Sequence, residues 1–201
     1  GIFNRQSANK MATASGRREI DGFEFGTNPC SEIILRSRQF CNLSEVVVRP
    51  EDTWETLAEK TRVATILGTI QSTLVNFKYV SAGWKKNCEE ERLLGVSMTG
   101  IMDNKLTNGK TKGLEENLEK LKKIAVDTNA KFAKAMGIEQ STAITCVKPS
   151  GTVSQLVDAA SGIHARHNPY YIRTVVGRQQ HVGPERRVQL REDVALELEL
   201  L

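Results

Sequence analysis

Two observations predict an α/β fold with mostly parallel strands. Short β-branched runs are typical of strands: EIILR at residues 32–36, EVVVR at residues 45–49 and AITCV at residues 143–147. Between them lie long segments in which apolar residues recur at helical spacing. Strands that alternate with helices in this way favour parallel pairing.

The first long helix is predicted to cover about residues 53–80. Asp52 is its expected capping residue, with Glu55 reaching back three residues later, and Gly68 is its weak point. Its expected buried stripe consists of Leu57, Ala64, Leu67, Gln71, Leu74 and Phe77.

The second long helix, residues 114–136, is the clearest, and Gly137 stands where a left-handed C-terminal residue belongs. Its stripe consists of Leu114, Leu118, Leu121, Ala125, Thr128 and Phe132. Between the two long helices, a short charged helix is predicted at about residues 84–94. The run GVSMTGIM, residues 95–102, predicts a strand leading into a turn, and residues 105–113 predict a loop.

The two ends of the chain have a different character. Residues 1–26 are polar and turn-rich, so they are predicted to form a loop, and residues 170–176 are predicted to form a strand. We divide the chain into a folded body, residues 1–176, and a charge-dense tail or terminal helix, residues 177–201. Because the first methionine is Met11, we expect a processed start or a piece of a longer protein.

The composition is that of an ordinary globular protein, with 201 residues, 39% hydrophobic and 26% charged. The net charge of +4 is dispersed, which suits a phosphate-bearing small molecule; no basic run with aromatics predicts a nucleic-acid groove. The sequence predicts no membrane span and no secretory signal. Four cysteines without a CxxC pair argue against a structural zinc site and favour a reducing, cytoplasmic location.

The segment NPCSE carries the first candidate site. In an extended chain, alternate residues point to one side, and Pro29 favours extended angles for the residue before it. Asn28, Cys30 and Glu32 would then align an amide, a thiol and a carboxylate over about 13 Å, at roughly 3.3 Å per residue. Such a row can bind a polyol, abstract a proton and offer sulfur chemistry. The alternative is a strand-edge Asn, a buried Cys and a surface Glu.

The segment AITCVKPSGTVSQLV carries the second candidate site. It is predicted to run from a strand through a turn into a helix. Ser150, Gly151 and Thr152 can turn backbone N–H groups and hydroxyls toward an anion at the helix N-terminus. The same letters also suit an ordinary helix cap. The GxxxxGK[ST] pattern of a Walker P-loop is absent.

Taken together and in order, three motifs resemble the catalytic subunit of ribonucleotide reductases. They are NPCSE, then FCNLSEV, then VKPSGTVSQLVDAASGIHARH. The chain is most similar to the adenosylcobalamin-dependent, class II enzymes, and the resemblance covers residues 1–176. It implies half of a ten-stranded α/β barrel in which a finger loop carries a radical cysteine. It also implies reduction of ribonucleotides, with the triphosphate favoured as substrate.

The resemblance implies a role for each matching residue. Cys30 matches the radical cysteine, Glu32 the general base that takes the 3′-hydroxyl proton, and Asn28 the amide that holds the ribose hydroxyls. Cys41 matches one of the two thiols that reduce the 2′ position and end as a disulfide. The residues that match the substrate-phosphate loop are Pro149, Ser150, Gly151, Thr152, Val153 and Ser154.

The resemblance also implies adenosylcobalamin as cofactor and three partners: a ribonucleotide, an N-terminal half of the reductase and a thioredoxin-like dithiol. The redox partner of Cys41 belongs to that N-terminal half. Cys88 and Cys146 match no family cysteine and are predicted to be packing residues. Tyr170–Tyr171 is predicted to be part of a strand rather than a radical relay, and His164 and His167 are given no role.

Two alternatives stay open beside the enzymatic hypothesis. In the first, the chain is a non-catalytic nucleotide-binding module that keeps the phosphate loop. In the second, it is a remnant without function. The first alternative predicts nucleotide binding that survives Cys30→Ala, and the second predicts neither folding nor partner binding.

Overall fold

The computed structural model describes residues 3–14, 16–18 and 22–166. The described residues up to Ala165 form one compact unit. The predicted strand at residues 170–176, the charged tail and His167 lie outside the described residues, as does the predicted boundary after residue 176.

The described part of the chain contains both helices and strands, so the predicted α/β class is confirmed, although three of the strands follow one another directly. Its helices are α1 (Arg5–Thr13), α2 (Trp54–Gln71), α3 (Ala82–Glu91), α4 (Leu114–Met136) and α5 (Val153–Leu156), with a 3-10 turn at Ile101–Asp103. Its strands are β1 (Phe25–Thr27), β2 (Ile34–Arg36), β3 (Asn42–Val47) and β4 (Leu94–Thr99). In this part of the chain, none of the helices has the length and apolar character that crossing a bilayer requires.

Strand β4 lies at the centre of the parallel region. It pairs with β3 from Asn42 opposite Leu94 to Val47 opposite Thr99. Thr145 forms an isolated parallel bridge to Val96, so the predicted strand at residues 143–147 is reduced to one bridge. Parallel pairing is confirmed for these segments. In contrast, β1 and β2 form a separate antiparallel hairpin, and β1 was not predicted.

The N-cap of helix α2 lies one residue later than predicted. Thr53 is the N-cap, and it exchanges capping-box hydrogen bonds with Thr56 rather than with Glu55. The prediction that Asp52 caps the helix is wrong because its carboxylate is used elsewhere. It accepts hydrogen bonds from the Arg49 N–H at 2.7 Å and from the Lys60 ammonium at 2.6 Å.

The buried face of α2 is narrower and more polar than the predicted stripe. Leu57 and Ala64 are buried as expected, but Leu67 and Leu74 are 58% and 71% exposed, and the helix ends at Gln71. Small and polar residues occupy the rest of the buried face: Thr61, Thr65, Gly68 and Thr69. Each of the three buried threonines donates its hydroxyl to the carbonyl four residues earlier, which satisfies that group inside the fold.

Helix α4 has the predicted bounds, and Gly137 ends it at a φ of 66°, as expected. Leu121 and Ala125 pack into the core against the sheet and α2. Asn129 is buried at 1% exposure and donates to the hydroxyls of Thr69 and Ser141, which ties α4 to α2. The main core consists of Val46, Val48, Leu57, Ala64, Leu94, Val96, Leu121, Ala125 and Ile144.

The N-terminal segment is not the irregular loop that was predicted. Asn4 accepts a hydrogen bond from the Ser7 N–H and begins α1, whose Ala8 and Ala12 are buried. Beyond α1, Arg18 forms a two-pronged ion pair with Glu91 at the end of α3, with both N–O distances at 2.8 Å. Both side chains are at most 2% exposed.

Arg36 of β2 also contacts Glu91, at 3.3 Å, and Arg18 donates to the carbonyl of Ile34 at 2.7 Å. These buried charges fasten the β1–β2 hairpin to α3. They fix the position of the loop at the tip of the hairpin, which carries the first candidate site.

Candidate active site

The cysteine loop, Asn28–Glu32, forms the tip of the β1–β2 hairpin. It is a turn, so the predicted extended row of three side chains is wrong. The Ser31 N–H donates to the Asn28 carbonyl at 3.0 Å, and the Asn28 side-chain oxygen accepts from the Ile33 N–H at 3.0 Å. Ser31 has a φ of 63°, in the left-handed region that a tight turn requires.

The turn reverses the burial that the alternative reading of NPCSE expected. Cys30 is exposed at the tip, whereas the Glu32 side chain is only 5% exposed. Asn28 is half-buried between them. The loop therefore presents a thiol to the outside and keeps its carboxylate inside.

Glu32 has one satisfied oxygen and one that lacks a donor. Its Oε1 accepts from the ammonium of Lys148 at 3.1 Å. Its buried Oε2 accepts no hydrogen bond of standard geometry from the described residues. Burial raises the pKa of Glu32, but the nearby Asn28 amide and the hydrogen bond and charge of Lys148 outweigh burial, so its pKa is lowered.

Lys148 was not among the predicted site residues. Burial lowers the pKa of Lys148, but the paired Glu32 carboxylate more than offsets this, with smaller contributions from Cys30 and Cys146, so its pKa is raised. The only sequence signal was its place directly before the phosphate-loop motif.

Cys41 and Cys146 converge on Gly95 of β4. A Cβ on Gly95 would lie 3.2 Å from each sulfur and 2.5 Å from the Leu43 side chain, so only glycine leaves room for this cluster. Burial raises the pKa of both thiols to about 12, and the neighbouring Cys146 contributes to the shift at Cys41. Both thiols are free and stay protonated near neutral pH.

Cys146 was predicted to be a packing residue. The structure also places its sulfur near that of Cys41, at Gly95. Cys88 resembles a packing residue more closely, since it is buried and accepts a hydrogen bond from the Phe40 N–H. All four cysteines are free, so this structure contains no disulfide framework.

The PSGT turn, Pro149–Ser154, contains two buried serines and three exposed residues between them. Ser150 and Ser154 are buried, and their hydroxyls donate to the Glu45 carboxylate and to the Gly151 carbonyl. The exposed residues are Gly151, Thr152 and Val153. Within the described residues, the N–H groups of these three donate no hydrogen bond. Helix α5 has only four residues, so its dipole adds less than the sequence predicted.

Residues that follow the PSGT turn by about ten positions contact Lys148 and Pro149 at its start. Ser161 donates to the Pro149 carbonyl at 2.8 Å. Gly162 has a φ of 53°, and a Cβ there would lie 2.7 Å from the Lys148 carbonyl oxygen. Glu45, which accepts from Ser150 and from Ser97, is partly buried, and burial raises its pKa despite these contacts.

Residues from three parts of the chain therefore lie near the Glu32 carboxylate. Asn28 lies in the same loop, Lys148 binds one oxygen, and Cys41 and Cys146 are close enough for the Glu32 charge to raise the pKa of both thiols. This cluster contains hydrogen-bonding, acid–base and thiol groups within one small region, which is the chemistry that the motifs implied.

Comparisons with known proteins agree with the motifs. The chain is 29% identical over 182 residues to the adenosylcobalamin-dependent ribonucleoside-triphosphate reductase of Lactobacillus delbrueckii subsp. bulgaricus, which covers 78% of this chain and 24% of the relative. The reductase of the same name from Levilactobacillus brevis is 30% identical over 206 residues, 87% of this chain and 27% of the relative. No model of a protein family matches the chain.

A solved structure supports the same relationship. The crystal structure of a B-12 dependent, class II ribonucleotide reductase superposes with a TM-score of 0.59 at 27% identity, over 72% of this chain and 23% of that one. The chain thus spans about a quarter of the length of the relatives that it matches. As the ordered motifs predicted, this chain is a relative of the adenosylcobalamin-dependent, class II ribonucleotide reductases.

Proposed function

We propose that this chain supplies the cysteine loop and the phosphate turn of a class II ribonucleotide reductase, which reduces ribonucleoside triphosphates to deoxyribonucleotides. The observation that carries the proposal is the pairing of the buried Glu32 carboxylate with Lys148, with Asn28 in the same loop and Cys41 near enough to feel the Glu32 charge. Two of these residues, together with Glu32, were assigned catalytic roles on the motif alone. Relatives named as ribonucleoside-triphosphate reductases support the choice of substrate.

Substrate phosphates bind the exposed side of the PSGT turn. The N–H groups of Gly151, Thr152 and Val153 are the donors, because these residues are exposed and their N–H groups donate to no other described residue. Ser150 and Ser154 keep the turn in shape from the buried side. Backbone N–H groups that converge in a turn favour anions, so this side of the turn suits a polyphosphate.

The ribose lies over the cysteine loop. Its hydroxyls bind Asn28 and the oxygen of Glu32 that lacks a donor, since a buried acceptor without a partner is stabilised by an O–H group. Glu32 takes the proton of the 3′-hydroxyl as general base. Its lowered pKa keeps it ionised near neutral pH, which a base requires.

The exposed thiol of Cys30 fits a cofactor that is bound outside the described residues. When bound, adenosylcobalamin supplies the organic radical that removes the hydrogen atom from this thiol. The Cys30 sulfur then takes the 3′-hydrogen of the ribose and returns it at the end of the reaction. A thiol at the tip of a hairpin can be approached from both the cofactor and the substrate side.

Cys41 and a second thiol provide the two electrons of the reduction. The 2′-hydroxyl leaves as water, the two thiols form a disulfide, and ribonucleotide plus dithiol becomes deoxyribonucleotide, disulfide and water. A thioredoxin-like dithiol then reduces the disulfide. The second thiol lies in an N-terminal polypeptide that completes the ten-stranded barrel.

Exposed apolar residues beside the bridge at Thr145 support such a partner. Val147 is 64% exposed and Ile163 is 57% exposed, and both line an apolar groove next to β4. The segment around Thr145 has an unpaired edge among the described residues, and open strand edges favour addition of another strand.

The test combines this chain with the N-terminal polypeptide, adenosylcobalamin, a ribonucleoside triphosphate and a dithiol, and measures deoxynucleotide formation. We expect Cys30→Ser and Cys41→Ser to abolish product and Cys88→Ser, the matched control, to retain it. Full activity of Cys30→Ser would contradict the assigned roles.

The alternatives give different results in the same assay. A non-catalytic module binds nucleotide in the wild type and in Cys30→Ala, and makes no product in any combination. A remnant binds neither nucleotide nor the N-terminal polypeptide. Either result overturns the enzymatic proposal.

A further inference from the structure

Lys148 occupies the boundary between the two halves of the candidate site. Its backbone directly precedes the PSGT turn, and its ammonium lies 3.1 Å from Glu32 Oε1. The Lys148 side chain is 25% exposed, whereas that of Glu32 is 5% exposed. The lysine end of the pair is therefore within reach of a ligand in solution, and the carboxylate end is covered.

The ammonium of Lys148 also has N–H donors that Glu32 does not use. An ammonium group carries three N–H donors, and one of them is directed to Glu32. No other acceptor among the described residues takes a hydrogen bond from it. Two donor positions thus remain on a cation whose residue lies three and four positions before the exposed residues Gly151 and Thr152.

We infer that Lys148 is a shared ligand, which pairs with Glu32 before substrate binds and divides its donors between Glu32 and the substrate phosphates afterwards. This inference rests on the proposed function, since it assumes that phosphates occupy the PSGT turn. It makes Lys148 a positioning residue for Glu32 and a direct contact of the substrate. Binding of phosphate would thereby make Glu32 a stronger base at the moment when its substrate is present.

Other charged groups near Glu32 do not take the place of Lys148. Arg17, Arg18 and Lys122 line a cavity of about 350 Å³ that Glu32 also lines. Arg18 is paired with Glu91 and Lys122 with Glu119, so neither of these two forms an ion pair with Glu32. The neighbouring thiols of Cys41 and Cys146 are uncharged near neutral pH because burial raises their pKa to about 12.

The experiment follows the Glu32 carboxyl carbon by NMR in the full chain labelled with 13C-glutamate, with the signal assigned by Glu32→Gln. The probe is inorganic tripolyphosphate. In the wild type we expect tripolyphosphate to shift the Glu32 titration midpoint upward. In Lys148→Met the midpoint starts higher, the added shift is smaller, and tripolyphosphate binds about tenfold more weakly, the loss of one charge-assisted hydrogen bond.

Lys148→Arg keeps the charge and should restore part of the shift, and Lys112→Met, at an exposed lysine outside the site, should match the wild type. The shift that remains in Lys148→Met measures direct repulsion by the anion, so the difference between variants isolates the lysine. Tripolyphosphate that binds the wild type without moving Glu32, or that binds Lys148→Met equally well, would overturn the shared-ligand inference alone. Absence of binding to the wild type would overturn the phosphate assignment as well.

Discussion

The cysteine loop and the PSGT turn are held in place by different means. The cysteine loop is shaped mainly by its own local hydrogen bonds: the Asn28 carbonyl accepts from the Ser31 N–H and the Asn28 side chain from the Ile33 N–H, both within five residues. The PSGT turn depends on distant contacts, with Glu45 on one side and Gly162 on the other. The comparison teaches that one half of the site is a local motif, whereas the other exists only in the folded unit.

The largest effect is expected where the two regions meet. Glu32→Gln keeps the shape of the side chain but removes the base and the charge that Lys148 binds. We expect the rate of deoxynucleotide formation in the reconstituted enzyme to fall about 10²- to 10⁴-fold, the usual contribution of a general base. Glu115→Gln, on the surface of α4, is the control. A loss below tenfold would remove Glu32 from the role of base.

The thiol of the cysteine loop, Cys30, should differ from the neighbouring thiols of Cys41 and Cys146 in its reactivity toward iodoacetamide. Cys30 is exposed, whereas burial raises the pKa of Cys41 and Cys146 to about 12. Because the thiolate is the nucleophile, alkylation of these two partly buried thiols should rise about tenfold per pH unit, or about a thousandfold from pH 7 to pH 10. Peptide mass spectrometry would measure each rate. Rapid labelling of Cys41 at pH 7 would contradict the buried cluster.

The sequence predicted the local features and missed those that depend on long-range contacts. It located α4 to its bounds because the apolar stripe and Gly137 are local signals. It also selected Asn28, Cys30 and Glu32, although it expected an extended row, because a turn at Ser31 requires a left-handed backbone that the letters do not reveal.

The missed features join residues that are far apart. Lys148 and Glu32 are 116 residues apart, and Ser150 and Glu45 are 105 residues apart. No local pattern links such pairs. Likewise, the stripe predicted for α2 followed apolar residues, whereas packing against the sheet selected small residues such as Gly68, whose Cβ would touch Leu94 at 3.4 Å.

The hairpin that carries the cysteine loop should detach when its buried charges are broken. Glu91→Ala leaves Arg18 buried without its partner, and we expect a loss of about 3–5 kcal/mol in the free energy of unfolding. The neighbouring Glu90, which is 42% exposed and pairs with Arg36, provides the control; Glu90→Ala should cost less than about 1 kcal/mol. Urea denaturation of the chain would measure both. Equal losses would mean that burial of the Glu91 pair is not what fastens the hairpin.

The smallest effect on stability is expected at Gly162, which contacts the start of the PSGT turn. Gly162→Ala places a Cβ 2.7 Å from the Lys148 carbonyl at a φ of 53°, and we expect a cost of about 1–3 kcal/mol together with weaker nucleotide binding. Gly26→Ala in β1 is the matched control, because nothing lies within 4 Å of its Cβ and its φ is not positive. If both variants bind nucleotide as tightly as the wild type, Gly162 does not support the turn.

The most direct test is a crystal structure of this chain, assembled with its N-terminal polypeptide and a bound ribonucleoside triphosphate. The account predicts that the phosphates lie on the N–H groups of Gly151, Thr152 and Val153, and that the Cys30 sulfur lies about 3.5 Å from the ribose 3′ carbon. Phosphates seated away from the PSGT turn, or a ribose that meets neither Cys30 nor Glu32, would contradict it.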